Sequence, residues 1–193
     1  MQRFFQTLAR VFAYLGGAML VALVLLTCLS VLGRKASDLL HGMLARDLFA
    51  GTAQALLDAG IGPVKGDIEL IEAGIAFAIF AFLPLCQIKS GHAAVDMFAN
   101  RLPPRADRIL RALTEVVFAA VLVLIAVQLG AGMQSELRSG QTTFLLQFPL
   151  WWAYALSLTA AVVAALVAVY VALMRMAEAV TGRALLPVEG TEA

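Results

Sequence analysis

Four stretches of this chain are apolar for long enough to cross a lipid bilayer, and the polar residues between them fall into blocks. Val11 to Gly33 carries no charge, and at 1.5 Å of rise per residue it is long enough for a hydrocarbon core of about 30 Å. The second stretch opens on Asp67, Glu69 and Glu72 and ends at Ile88, before Lys89-Ser90-Gly91. The third runs from about Leu110 to Met133, with Glu115 in its first turns, Gln128 inside and Glu136 and Arg138 at its exit. The fourth runs from Pro149 to Met174. The pattern predicts an all-α integral membrane protein with transmembrane helices over about 11–33, 67–88, 110–133 and 149–174.

The segments between them have a different texture. Gly33-Arg34-Lys35 ends the first stretch, and Ser37-Asp38 offers a cap for a new helix. There Leu40, Met43, Leu44, Leu48, Leu56 and Leu57 are interleaved with His41, Arg46, Asp47 and Asp58. Residues 35–65 therefore read as an amphipathic insertion of one or two interfacial helices, broken at Gly60-Ile61-Gly62-Pro63. Residues 89–109 form a basic loop in which Val95, Phe98 and Leu102 recur at helical spacing, giving a short amphipathic helix ended by Pro103-Pro104. Residues 175–193 read as a flexible polar tail.

Lysine and arginine orient the spans. With the N-terminus inside, the inner set is Arg3, Arg10, Lys89, Arg101, Arg105, Arg108, Arg111, Arg175 and Arg183, and the outer set is Arg34, Lys35, Arg46, Lys65 and Arg138. Nine against five predicts both termini in the cytoplasm and the 35–65 insertion outside. The N-terminal segment lacks a good cleavage site and is expected to remain as an anchor.

Inside the spans a few polar groups stand out. Glu69 and Glu72 are three apart and share a helix face, continued by Ala76, Leu83 and Gln87. They have two readings: caps at the water interface, or a packing device in which Glu72 pairs with Arg34 across the outer boundary. Pro84 removes a backbone donor and is expected to kink its helix. Pro149 suits a helix start, and Trp151, Trp152 and Tyr154 suit a headgroup-level aromatic belt. Ala160, Ala164, Ala168 and Ala172 repeat every four residues, through chance enrichment in an alanine-rich chain or as a face for close helix approach.

Composition supports the membrane reading and narrows the chemistry. Of 193 residues, 62% are hydrophobic and 14% charged, and the mean hydropathy is +0.89. A soluble chain of this size has too little interior for that excess. A net charge of +1 gives no reason to expect nucleic acid. Cys28 and Cys86 lie in apolar runs and read as packing residues. His41 and His92 fall on opposite predicted sides, which rules out a shared haem or metal between them. With no nucleophile and base, phosphate loop or metal cluster, the chain reads as a non-enzyme without a cofactor. Two functions fit: an accessory subunit packed against a larger membrane partner, or a self-contained homo-oligomeric four-helix channel. A channel should show polar residues at several depths of one helix face, and Gln87, Gln128 and scattered Ser and Thr are few.

One motif set is more specific. GDIELIEAGIAFAIFAFLPLCQIKSGHAAVDMFANRLPPR followed by SGQTTFLLQFPLWWAYA resembles the small (Q type, DctQ-like) membrane subunit of tripartite ATP-independent periplasmic (TRAP) transporters, over roughly Leu20 to Met174. Gly91-His92-Ala93-Ala94-Val95-Asp96 and Leu102-Pro103-Pro104-Arg105 are similar to the family's G-H-x-x-V-D and L-P-x-R pattern. Gly33-Arg34, the Glu69 and Glu72 pair and Pro149-Leu150-Trp151 also fit. The resemblance implies a bacterial inner-membrane protein that binds a large membrane transport subunit, while a periplasmic substrate-binding protein delivers an organic acid for sodium-driven symport. It also implies that membrane lipid is the remaining partner and that the substrate sites lie in the other chains. On it, Arg34, Glu69 and Glu72 set an outer polar network, and Gly91, His92 and Asp96 shape the cytoplasmic turn. The 35–65 segment is longer than the resemblance leads one to expect, and reads either as a docking surface for the binding protein or as cover for helix ends.

Overall fold

The computed structural model describes residues 2–46, 50–89 and 104–181. They form five helices: α1 (Gln2–Ala45), α2 (Ala50–Asp58), α3 (Asp67–Ile88), α4 (Pro104–Ser139) and α5 (Trp151–Thr181). Four are long and apolar enough to cross a membrane, over Arg3–Ala45, Asp67–Ile88, Arg108–Ser139 and Trp151–Thr181. Among the described residues the extended structure is one isolated antiparallel bridge, Thr142 to Pro149.

Helix starts and stops follow local chemistry. Pro104, which has no N–H to leave unsatisfied, opens α4. Gly140 closes it in the left-handed region (φ 65°), its N–H donating to the Glu136 carbonyl at 3.1 Å. Pro149 stands two residues ahead of α5, and its carbonyl accepts the Trp152 N–H at 3.1 Å. α3 remains continuous through the buried Pro84.

Packing places the spans in the order α1, α3, α5, α4, with α3 and α5 in the middle. The seam is made of small residues. Ala160, Ala164, Ala168 and Ala172 are all buried, so the four-residue repeat is a packing face. Ala164, Ala165, Ala168 and Ala172 meet Ala119 and Leu122 of α4, while Ala160 meets Phe77 and Ala81 of α3. α1 lies antiparallel against α3: a Cβ at Gly16 would sit 3.0 Å from the Ala81 Cβ, and Leu23 fills the space beside Gly74. Nearer its N-terminus, Phe5 stacks on Tyr170 of α5 at 4.2 Å.

One sequence expectation fails here. Gly33-Arg34-Lys35 does not end the first helix, and no new helix starts at Ser37; α1 runs unbroken to Ala45. Nothing in that stretch forbids a helix, since it contains no proline, and His41 Nδ1 lies 2.7 Å from the Ser37 carbonyl one turn back. Gly33 serves close approach instead: a Cβ there would lie 2.1 Å from the Gly62 carbonyl oxygen. The chain therefore rises past the start of α3, turns, returns along α2 and descends to Gly62 beside Gly33. α5 likewise continues past Met174 to Thr181, so residues 175–181 are helix rather than tail. The expected amphipathic helix within 89–109 and the remainder of the tail lie outside the described residues.

If the alanine seam sets helix separation, Ala168→Leu should lower stability by about 1–3 kcal/mol through overpacking. The exposed Leu166→Ala should leave the thermal midpoint in mild detergent nearly unchanged. Equal effects of the two would show that the seam does not control packing.

Candidate functional site

Among the described residues, the polar side chains that bond between elements gather towards the two ends of the bundle. At the end where α3 begins, Ser30 of α1 is buried (1% exposed) and its Oγ donates to Asp67 Oδ2 at 2.5 Å. Asp67 also accepts its own helix's Ile68 N–H at 2.9 Å, and Arg34 stands 4.0 Å away. Arg34 is exposed, so that ion pair is weak and the serine contact is the one that ties α1 to α3. The acidic partner of Arg34 is thus Asp67, not Glu72. The reason is register: α1 and α3 are antiparallel and bring Ser30 and Arg34 to the first residue of α3, whereas Glu72 lies more than one turn further down.

Glu69 has a separate task. Residues 141–150 fold into a tight turn, with the Thr143 N–H bonded to the Phe148 carbonyl and the Leu150 N–H to the Gln141 carbonyl, each at 3.0 Å. Its tip points two N–H groups at Glu69: Leu145 at 2.7 Å to Oε1 and Leu146 at 3.0 Å to Oε2. Both carboxylate oxygens are occupied, so Glu69 holds the loop before α5 onto the first turn of α3. Leu146 lies over Gly66, where φ is 75° and a Cβ would be 2.4 Å from the Leu146 Cγ. Glycine is required there on both counts. Glu72 is on the same face, beside a cavity between α3, α5 and the turn. Trp151 and the exposed Trp152 form an edge-to-face pair at 5.9 Å, beside Pro149 at the head of α5.

The opposite end holds pairings that the sequence did not reveal. Gln87 is 1% exposed, and its Nε2 donates to Oε2 of the buried Glu115 at 2.7 Å, joining the end of α3 to α4 about three turns from its start. Arg175 donates to Glu178 at 2.8 Å, both buried, one turn apart on α5. A spacing of three with opposite charges was visible in the sequence, as was the placement of Gln87 on the Glu69 face. Assigning residue 175 onwards to a tail hid the first, and treating Glu115 as a first-turn acid hid the second.

Of the other residues singled out from the sequence, Gly91, His92, Asp96 and Pro103 lie outside the described residues, as does the side chain of Arg105. Among the described residues, no group of three or more His, Cys, Asp and Glu is placed to hold a metal ion. The arrangement supports packing and capture of a loop by charge-assisted hydrogen bonds.

Glu69→Ala should free the two loop amides, so that hydrogen exchange at Leu145 and Leu146 speeds up by at least about tenfold while the amides of α5 keep their protection. Ser30→Ala should destabilise the α1–α3 contact more than Arg34→Gln does, read as thermal midpoints of the two variants side by side. A larger loss from Arg34→Gln would assign the contact to the ion pair.

Comparison with known proteins agrees with this architecture. No match was found among curated proteins or solved structures. The family model for the DctQ component of tripartite ATP-independent periplasmic transporters matches residues 23–179, which takes in the second half of the first span, nearly all of the other three, both polar ends and the 141–150 turn. A match over most of the chain settles membership: this protein belongs to the DctQ family, the small component of TRAP transporters.

Proposed function

We propose that the chain is the non-catalytic small permease subunit that scaffolds a large transport subunit in a bacterial inner membrane. In this reading the complex takes up an organic acid by sodium symport, with a periplasmic binding protein delivering the substrate. Both termini lie in the cytoplasm, and the α1–α2 hairpin lies in the periplasm, where it forms the docking surface or cover that residues 35–65 suggest. Arg34, Asp67 and Glu69 then form the outer polar layer, and Gln87, Glu115, Arg175 and Glu178 the inner one.

The observation that carries this reading is the large unburied apolar surface of the outer spans. Only 17% of the most apolar window of α1 and 11% of that of α4 is buried within the chain, against 50% for α5. Helices in the order α1, α3, α5, α4 offer long apolar flanks to a membrane partner and, among the described residues, enclose no cluster of buried polar groups at mid-depth. The channel alternative has less support. Gln128, exposed on α4, is a lone polar group at mid-span, where a pore would need polar positions at several depths.

The test is affinity purification of the chain, tagged at its C-terminus, from mild-detergent extracts of native membranes. The expected result is one large polytopic protein recovered in about equal amount. Recovery of this chain alone, as a defined homo-oligomer, would overturn the subunit reading in favour of the channel.

A further inference from the structure

The cavity beside Glu72 is built in a graded way. It has a volume of about 380 Å³ and lies between α3, α5 and the 141–150 turn, with Leu129 of α4 in its wall. α3 and α5 run in the same direction, so depth can be counted from their first residues. At 1.5 Å per residue, Tyr154, Glu72 and Ser157 come at about 4–9 Å, while Ala76 comes at about 13 Å, and Leu129 is about 15 Å in from the end of α4. The polar groups that line the cavity thus all lie in its upper part, where they are mixed with Phe148, Leu150 and Ala153, and the floor is apolar.

The polar groups have spare capacity. Both oxygens of Glu69 are taken by loop amides, but Glu72 has no ion-pair or hydrogen-bond partner among the described residues. Ser157 is 4% exposed and lines the cavity, and its hydroxyl likewise makes no hydrogen bond with the described chain. Tyr154 is seated by Gly132, where a Cβ would come within 2.8 Å of its ring. Glu72 is an exposed carboxylate with no partner among the described residues, and the unused Ser157 hydroxyl opens into the same cavity, so the two together suit a ligand that brings a cationic donor group to the carboxylate.

We propose that this cavity binds the headgroup of an aminophospholipid, with its primary ammonium on Glu72, its phosphate and glycerol oxygens on the hydroxyls of Tyr154 and Ser157, and its acyl stem along the apolar floor. A lysine or arginine side chain from a protein partner satisfies the carboxylate but brings polar backbone to a depth where the floor is apolar. A lipid supplies the ammonium and the apolar continuation in one molecule. Phosphatidylglycerol lacks the ammonium and carries net negative charge beside Glu72, so the site discriminates against it.

The full chain, purified with whatever co-purifies, is challenged with equal amounts of phosphatidylethanolamine and phosphatidylglycerol, and bound lipid is read by native mass spectrometry. The wild type should retain phosphatidylethanolamine over phosphatidylglycerol by about tenfold or more, and Glu72→Gln should bring the ratio to near parity. Ala76→Leu, which fills the floor without touching the carboxylate, should reduce lipid retention, and Glu136→Gln, outside the cavity, should keep the wild-type ratio. Each variant is compared only if its elution profile matches the wild type. No preference in the wild type, an unchanged preference in Glu72→Gln, or capture of a protein rather than lipid by a photo-crosslinker at Tyr154 would overturn the proposal. The result is independent of the subunit reading, which stands or falls on what co-purifies.

Discussion

An apolar side chain gains almost nothing by leaving lipid tails for a protein interior, so what holds these spans together is close contact over small residues. α5 supplies it. Its alanine face lets α4 approach on one side and α3 on the other, and Val167 and Val171 complete the seam against Phe5, Ile88 and Met174. The same logic recurs where α1 meets α3, at Gly16 and Gly74. Bulk is directed outward: large apolar side chains such as Leu25, Leu29, Leu124 and Val127 remain exposed. A chain organised this way is complete as a bundle and still presents apolar flanks, which is the form expected of one component among several.

Among the described residues, the polar contacts between elements fall in two layers, and each layer joins elements that the seam alone would leave free to slide. At one end Asp67 and Glu69 fix α1 and the 141–150 turn to α3. At the other, Gln87 and Glu115 tie α3 to α4. Small-residue contacts specify separation but little register, because one alanine resembles the next. Directional hydrogen bonds at the ends supply the register. The dry middle follows from the cost of placing unsatisfied polar groups in hydrocarbon.

Much of the fold was legible because spans announce themselves by length and by charges at their ends. Glu69 and Glu72 were visible as residues that share a helix face, and that face reappears as the wall of the cavity. What could not be read was pairing. Asp67, Glu69 and Glu72 are similar acids within two turns, and only the antiparallel register of α1 decides that Arg34 meets the first of them. The extension of α1 past Gly33 was missed because a Gly-Arg-Lys break looks like a stop in one dimension. In three dimensions that glycine is where the returning chain presses against the helix. Arg175 and Glu178 were missed for the opposite reason: charge suggested a solvated tail, whereas the pair neutralises itself within one turn and is buried.

The unbroken course of α1 has a mechanical consequence. A helix from Gln2 to Ala45 is about 66 Å long, roughly twice the hydrocarbon thickness, and it contains no proline at which to bend. α2 braces its C-terminal segment, with Ala53 buried, and Gly33 is pressed against the returning chain at Gly62. The segment that α2 braces and the membrane span are therefore one continuous helix, tied to α3 by the Ser30–Asp67 contact and, near its other end, to α5 by the stack of Phe5 on Tyr170.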